Sequence, residues 1–237
     1  MLKFTSWVIG LLLLSTHVVN AQPKKIQLEY EVARDDKPFA TVKESFIQEG
    51  ATYRIESITK GLGIYALFGE RKLNSAGEVT AEGLKPLQFE LRQGDNPKKT
   101  IQAAFDWGNQ TLNTQAKGKT KTLPLLPSTQ DLASYAYQFM FMANALTGTF
   151  NMPLTTGKKI NQYTYVIQAE PEVLSLLGQP YKTIHLTPPV STAQAASQSD
   201  VKELWLSLEH HYLPVKIMLT DEHGQKLVQT LTSLQVE

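Results

Sequence analysis

Cysteine is absent from all 237 residues of the chain. Its absence excludes thiol nucleophiles, thiolate metal sites, dithiol redox motifs and disulfides. It also leaves no cysteine to which a lipid could be attached after an export signal. A chain of this length can bury a core large enough to fold without covalent cross-links.

A net charge of either sign is lacking from most of the chain. The chain has 23 Lys and Arg residues and 22 Asp and Glu residues, and residues 1–21 contain Lys3 but no acidic residue. Residues 22–237 therefore carry 22 charges of each sign. Because a nucleic-acid-binding protein needs a concentrated basic surface, we expect no nucleic-acid partner.

Common catalytic motifs are missing too. The sequence contains no G-x-S-x-G, Walker loop, G-x-G-x-x-G or H-E-x-x-H motif. Ser57 and Lys60 match S-x-x-K, but they lie in an alternating pattern, where positions i and i+3 point to opposite faces of a strand. The histidines after residue 21 are scattered, at positions 185, 210, 211 and 223. We predict no catalytic residue, no cofactor and no metal site, and hence a protein that is not an enzyme.

A strongly apolar run lies near the N-terminus. Residues 7–14 follow the positive Lys3, and Val19 and Ala21 occupy the −3 and −1 positions of a signal-peptidase site. The apolar run is too short to cross a bilayer core of about 30 Å as a helix, so we expect no membrane anchor. We predict a signal peptide at residues 1–21, and a soluble periplasmic protein that forms one β-rich domain at residues 22–237.

Alternating apolar and polar residues predict strands through most of residues 22–237. Ile26, Leu28, Tyr30 and Val32 share one face of the first predicted strand. Similar patterns recur between turn residues, with a turn predicted at residues 75–77 and hairpins near the C-terminus. The predicted fold is mainly β: a strongly curved antiparallel sheet or open β-barrel with one long buried helix.

Residues 128–147 predict that helix. Ser128 and Asp131 have capping-box spacing, although Asp replaces the usual Glu or Gln, and Gly148 follows as a C-terminal stop. Few polar residues interrupt the run. A helix that is apolar on nearly every face is buried on nearly every side.

Residues 61–69 form a second apolar segment, interrupted by glycines. The pattern is typical of a bulged strand or of a loop that covers the core. The helix and this segment either pack as ordinary core or border a cavity for an apolar ligand. The candidate lining residues are Leu62, Ile64, Leu67, Phe68, Tyr135, Phe139 and Met142.

Several motifs, taken together, resemble the domain-of-unknown-function family 3108 of exported proteobacterial proteins. In chain order they are Ser75-x-Gly77, Gly83-Leu84-x-Pro86-x-x-Phe89, Phe105-Asp106-Trp107, Pro127-x-x-Gln130-Asp131-x-x-Ser134, and Leu204-Trp205-Leu206 with Pro214. The resemblance brings no catalytic residue with it. The C-terminal pattern of Trp205-Leu206, Leu213-Pro214-Val215 and Gly224 is also similar to periplasmic lipoprotein carriers, which hold acyl chains in a curved sheet.

Three functions stay open at this point. The first is a non-enzymatic protein of the cell envelope that binds a hydrophobic or lipid-like ligand between sheet and helix. The second is a protein-interaction module that uses sheet edges or residues 191–198. The third is an unrecognised hydrolase built around Asp106 or Asp131, although a first-turn anion is the simplest role for Asp131 and a structural hydrogen bond for Asp106.

The predicted signal peptide is tested by N-terminal sequencing of the exported protein. We expect the sequence to begin at Gln22, because the small side chain of Ala21 fits the cleavage site. Recovery of an intact chain that begins at Met1 in the membrane fraction would contradict this prediction.

Overall fold

The computed structural model describes residues 22–142, 146–189, 201–221 and 223–237. The predicted signal peptide and the 191–198 segment lie outside the described residues. Most of the described chain is extended. The strands are β1 (Lys25–Arg34), β2 (Lys37–Glu49), β3 (Thr52–Gly61), β4 (Arg71–Thr80), β5 (Gly83–Gln93), β6 (Ile101–Asp106), β7 (Thr111–Ala116), β8 (Lys119–Pro124), β9 (Gln130–Asp131), β10 (Thr149–Thr155), β11 (Ile160–Ile167), β12 (Glu172–Leu176), β13 (Gln179–Thr187), β14 (Val201–Ser207), β15 (Pro214–Thr220) and β16 (Lys226–Val236).

The described strands form one sheet in the order β8-β7-β6-β5-β4-β3-β2-β1-β16-β15-β14-β13-β11-β10-β9, with β12 paired to β13. Neighbouring strands are antiparallel, except that β9 and β10 are parallel. The first and last strands of the chain pair in the interior of this order, with Ile26 opposite Val236. A sheet this wide twists and curls around its own apolar face. The prediction of a mainly β fold built on one large, unclosed sheet is confirmed.

The inner face of this sheet carries the core. Along β1, Ile26, Leu28, Tyr30 and Val32 are all buried, as their alternation predicts. The Tyr30 hydroxyl donates a hydrogen bond to the carbonyl oxygen of Pro214 at 2.9 Å. This bond satisfies a buried polar group and ties β1 to the start of β15.

The prediction of one long helix at residues 128–147 is wrong. The helical part is α1 (Tyr135–Gln138), followed directly by a 3₁₀ turn at Phe139–Phe141. Upstream, Ser128 has a left-handed φ of 58°, and β9 occupies two of the residues assigned to the helix. Residues 133–140 are nonetheless all buried, as the apolar pattern predicts.

Side-chain amides explain why this segment does not need a long helix. The Gln138 Oε1 accepts from the Leu84 N–H at 2.7 Å, and its Nε2 donates to the Glu82 carbonyl at 2.9 Å. The Gln130 Nε2 donates to the Leu84 carbonyl at 2.8 Å. Aromatic residues are also weak helix formers, and residues 135–141 contain four of them. The sheet therefore supplies polar partners that sequence periodicity does not reveal.

Asp131 is the second anchor between this segment and the sheet. Its Oδ2 accepts from the Ser75 hydroxyl at 2.6 Å. Its Oδ1 accepts from the backbone N–H groups of Ala133 and Ser134 at 2.8 and 2.9 Å. Burial raises the pKa of Asp131 to about 6, although these hydrogen bonds act in the opposite direction. The carboxylate thus turns the chain into α1 and holds it against β4.

The sequence analysis expected residues 61–69 to face the helical segment. In the structure they do not face α1. The segment forms a 3₁₀ helix, Gly63–Phe68, that joins β3 to β4. Its Tyr65 side chain packs against β2, with its ring centroid 4.4 Å from that of Phe39. Left-handed backbone at Gly63 and Gly69, with φ of 56° and 72°, turns the chain at both ends of the segment. The remaining apolar side chains therefore point into solvent.

The pH dependence of stability tests the buried Asp131. The pKa of the Asp131 carboxyl is about 6 in the folded chain and 3.8 in the unfolded chain. At a pH between these values, the carboxyl is therefore protonated only in the folded chain. Stability is therefore lost as pH rises from about 4 to above 6, by on the order of 3 kcal/mol for a shift of this size. The side chain of Asp131→Asn cannot ionise, so the variant should not lose this stability. Its free energy of unfolding in urea, relative to that of the parent, should therefore rise as the pH increases over this range.

Asp106→Asn is the matched control for this experiment. Hydrogen bonds from Asn109 lower the pKa of the half-buried Asp106, so its contribution to stability has the opposite slope with pH. Parallel pH profiles of the parent and Asp131→Asn would contradict the role assigned to Asp131.

Two substitutions compare the core with the exposed segment. Phe139 is fully buried, so Phe139→Ala should lower the free energy of unfolding by about 3–5 kcal/mol. Leu67 is 87% exposed, so Leu67→Ala should change it by about 0.5 kcal/mol or less. Chemical denaturation measures both, and similar losses in the two variants would contradict these placements.

Candidate functional site

A cavity of about 390 Å³ lies inside the curved sheet. Strands β2 to β6 form one wall, β14 to β16 form another, and residues 132–136 lie between them. Apolar side chains make up much of both walls. They are Val42, Leu73, Leu91, Ile101, Ile217 and Leu219.

Charged residues enter this apolar surface from inward positions of three strands. Glu44 lies between buried Val42 and Phe46 in the alternation of β2. Arg71 shares the inner face of β4 with Leu73, two residues later. Lys202 precedes Leu204 in the same way on β14, and only 7% of it is exposed. Side chains two residues apart lie on the same face of a strand, so each of these three charged side chains belongs to the inner face of the sheet.

Glu44 is held by hydroxyl groups. Its Oε1 accepts from the Ser57 hydroxyl at 3.0 Å, and its Oε2 accepts from the Tyr137 hydroxyl at 3.3 Å. Burial raises the pKa of the Glu44 carboxyl above its usual value, although both hydrogen bonds lower it. The Tyr137 bond also ties α1 to β2.

Lys202 lies over two aromatic rings of the cavity. The Lys202 Nζ is 4.8 Å from the ring centroid of Tyr135 and 5.1 Å from that of Tyr163. Cation–π contacts of this kind favour a charged group that is withdrawn from water. Arg71 lines the same cavity, and burial lowers the pKa of its guanidinium. Positive groups of β4 and β14 therefore line one cavity.

A wider groove of about 800 Å³ crosses the outer face of β2 to β8. Its outward side chains follow paired positions across the sheet, and each is at least partly exposed. They include Ser45, Glu56, Asn74, Glu90, Gln102 and Gln115. Water can hydrate such side chains in place, so the groove needs no ligand to satisfy them. The interior cavity is the better candidate site, because withdrawing charge from water is costly unless a partner compensates.

The predicted lining residues divide into three groups. Tyr135 lines the interior cavity. Phe139 is packed core, with its ring centroid 6.2 Å from Phe150 and 6.4 Å from Tyr165, and Met142 packs half-buried against the core. The others lie on the outer 3₁₀ segment, with exposed fractions of 39% at Leu62, 73% at Ile64, 87% at Leu67 and 66% at Phe68. The predicted pairing of α1 with residues 61–69 is therefore wrong, because the glycines turn that segment outward.

Neither aspartate of the hydrolase alternative lies in the cavity lining. The Asp106 carboxylate accepts from the backbone and side-chain N–H groups of Asn109 at 2.9 and 2.8 Å, and so closes the β6–β7 turn. Asp131 is enclosed by its own hydrogen bonds. Within the described ranges, no three His, Asp or Glu side chains are grouped to hold a metal ion.

One outer cluster was not found from the sequence. The two ring nitrogens of His185 lie 2.8 Å from a Glu172 oxygen and 2.9 Å from a Glu203 oxygen. Trp205 stacks on the His185 ring with centroids 4.0 Å apart, and Lys216 lies over Trp205 at 4.3 Å. Four strands, β12 to β15, contribute to this cluster, so only their register in the sheet could have revealed it.

The motif residues that carry the family resemblance meet around the buried segment. Gly77 lets β5 approach, since a Cβ there would lie 2.2 Å from the Lys85 carbonyl oxygen. A Cβ at Gly83 would lie 2.5 Å from the Gln138 carboxamide. The Trp107 indole N–H donates to the Pro86 carbonyl at 2.7 Å. These residues therefore position the interior segment against the sheet.

The comparisons with known proteins agree with this architecture. The family model described as Protein of unknown function (DUF3108) matches residues 29–232. A β-barrel-like protein of the domain of unknown function DUF1849 from Brucella abortus is similar in structure, with a TM-score of 0.54 and 10% identity. The match covers 92% of this chain and 99% of that chain, and at this identity it shows the fold alone. No curated protein matches the sequence.

The described part of the chain contains no helix of the length and hydropathy needed to cross a bilayer.

The family match extends from β1 into β16, and so includes the anchored segment and both walls of the cavity. The chain therefore belongs to the DUF3108 family.

Proposed function

We propose that this chain is a non-enzymatic periplasmic protein of the cell envelope that binds a hydrophobic or lipid-like ligand inside its curved sheet. The observation that carries the proposal is the interior cavity, whose volume of about 390 Å³ falls within the range of about 300–1,000 Å³ of small-molecule sites. Its walls combine apolar side chains with about as many polar and charged ones, so they offer a ligand both apolar surface and hydrogen-bonding groups. The predicted export signal supports the location.

Pairing through sheet edges is less well supported. Strand β8 is one end of the sheet among the described strands, and all its residues are at least partly exposed. It carries Lys119 and Lys121 and ends at Pro124, which are features that discourage pairing with another chain. The cavity is therefore the preferred site of function.

Filling the cavity tests the proposal. Leu219 is half-buried in the cavity wall, so Leu219→Trp should occupy the space and lower the affinity for a neutral fluorescent probe, N-phenyl-1-naphthylamine, at least tenfold. A void that accepts the larger ring should leave the melting temperature nearly unchanged. An already filled core would instead be overpacked, at a cost of about 1–3 kcal/mol.

Leu67→Trp is the matched control, since it makes the same exchange on an 87% exposed residue. It should bind the probe as the parent does. Failure of the parent to bind the probe, or equal binding by Leu219→Trp, would end the proposal.

A further inference from the structure

The described lining of the cavity carries more positive than negative side chains. Arg71, Lys158 and Lys202 line it, against Glu44 as the one acid among the described lining residues. Glu44 already accepts two hydroxyl hydrogen bonds, and burial favours its neutral form. Among the described lining residues, positive side chains therefore outnumber acidic ones, and the lining favours an anion over a cation.

Arg71 is the cation whose environment is least complete. No hydrogen bond or ion pair joins its guanidinium to any residue in the described ranges. A guanidinium offers five N–H donors in a rigid fork that matches a carboxylate or phosphate. A charge that is withdrawn from water needs a partner, so this group calls for an oxyanion in the cavity.

Lys202 brings a second positive charge to the same place from the opposite wall. Its Nζ lies over the Tyr135 ring, and Tyr135 and Arg71 line the same cavity. In the sheet, β4 and β14 are separated by five strands, so these residues line one cavity only because the sheet curls. An oxyanion in the cavity would interact with both cations.

We infer that the ligand is an anionic amphiphile, whose carboxylate or phosphate group is held by Arg71 and Lys202 and whose alkyl chain lies along the apolar walls. This inference rests on the proposed function and adds the chemistry of the head group. Leu73 and Ile217 flank the cations on the two walls, so both parts of such a ligand find matching surfaces. The shared requirement is one oxyanion on an alkyl chain.

A displacement assay tests the inference. The exported protein is loaded with N-phenyl-1-naphthylamine, which is then displaced by dodecanoate, dodecyl phosphate, dodecanol or dodecyltrimethylammonium below their micellar concentrations. Either dodecanoate or dodecyl phosphate, or both, should bind at least tenfold more tightly than the neutral and cationic compounds. The stronger of the two anions identifies the head group as carboxylate or phosphate.

Arg71→Gln and Lys202→Gln should each reduce the preference for the anion over dodecanol about tenfold. Lys72→Gln is the matched control, because Lys72 is next to Arg71 but pairs with Glu70 at 3.3 Å on the other face of β4. It should leave the preference intact. Arg71→Gln removes a charge that lacks a described partner, so its melting temperature without ligand should not fall.

The outcomes separate the two proposals. Probe binding without preference for either anion, or a preference unchanged in Arg71→Gln, overturns this inference and leaves the proposed function in place. Failure of the parent to bind the probe or any of the four compounds overturns both.

Discussion

A wide curved sheet must cover its inner face, and in this chain the cover comes from the chain itself. Residues 125–142 leave the edge of the sheet at β8, cross its interior and return to the opposite edge through β9 and β10. The crossing is held by polar side chains: Gln130 and Gln138 bond to β5, and Asp131 bonds to β4. Buried amides and carboxylates are stable only with such partners, so the sheet and the segment position each other.

The same arrangement produces the cavity. The segment is short, and its helical part contains only seven residues from Tyr135 to Phe141. It fills the interior near Phe139, which is fully buried, but leaves space between Tyr135 and the ends of β3, β4 and β5. The short helical part therefore leaves this space unfilled.

Burying charged side chains in the cavity costs free energy that apolar side chains at the same positions would not cost. Apolar side chains at the positions of Glu44, Arg71 and Lys202 would extend the core by simple alternation. Their presence is the observation that supports the proposed binding role of this part of the interior. The outer groove across β2 to β8 lacks this property, although it is about twice as large, because its side chains remain in contact with water.

The strands were largely predictable, because a period of two residues is a local property of the chain. The alternation in β1 and the C-terminal hairpins led directly to the observed antiparallel pairs. The predicted turn at residues 75–77 was wrong, since Gly77 lies within β4, where β5 approaches too closely for a side chain. An apolar glycine-rich pattern could not show that Leu62, Ile64, Leu67 and Phe68 point outward, because burial of a loop depends on what the rest of the chain places beside it.

The sequence by itself determined a mainly β chain, the inward side of its strands and the burial of residues 133–140, because these follow from local periodicity and composition. Only the tertiary structure decided that this buried segment is mostly not helical, since its polar partners lie on β4 and β5, about 40 to 60 residues earlier. It also decided that Arg71 and Lys202, 131 positions apart, line one cavity together with Tyr135. Curling of the sheet brings them together, and no pattern along the chain encodes that distance.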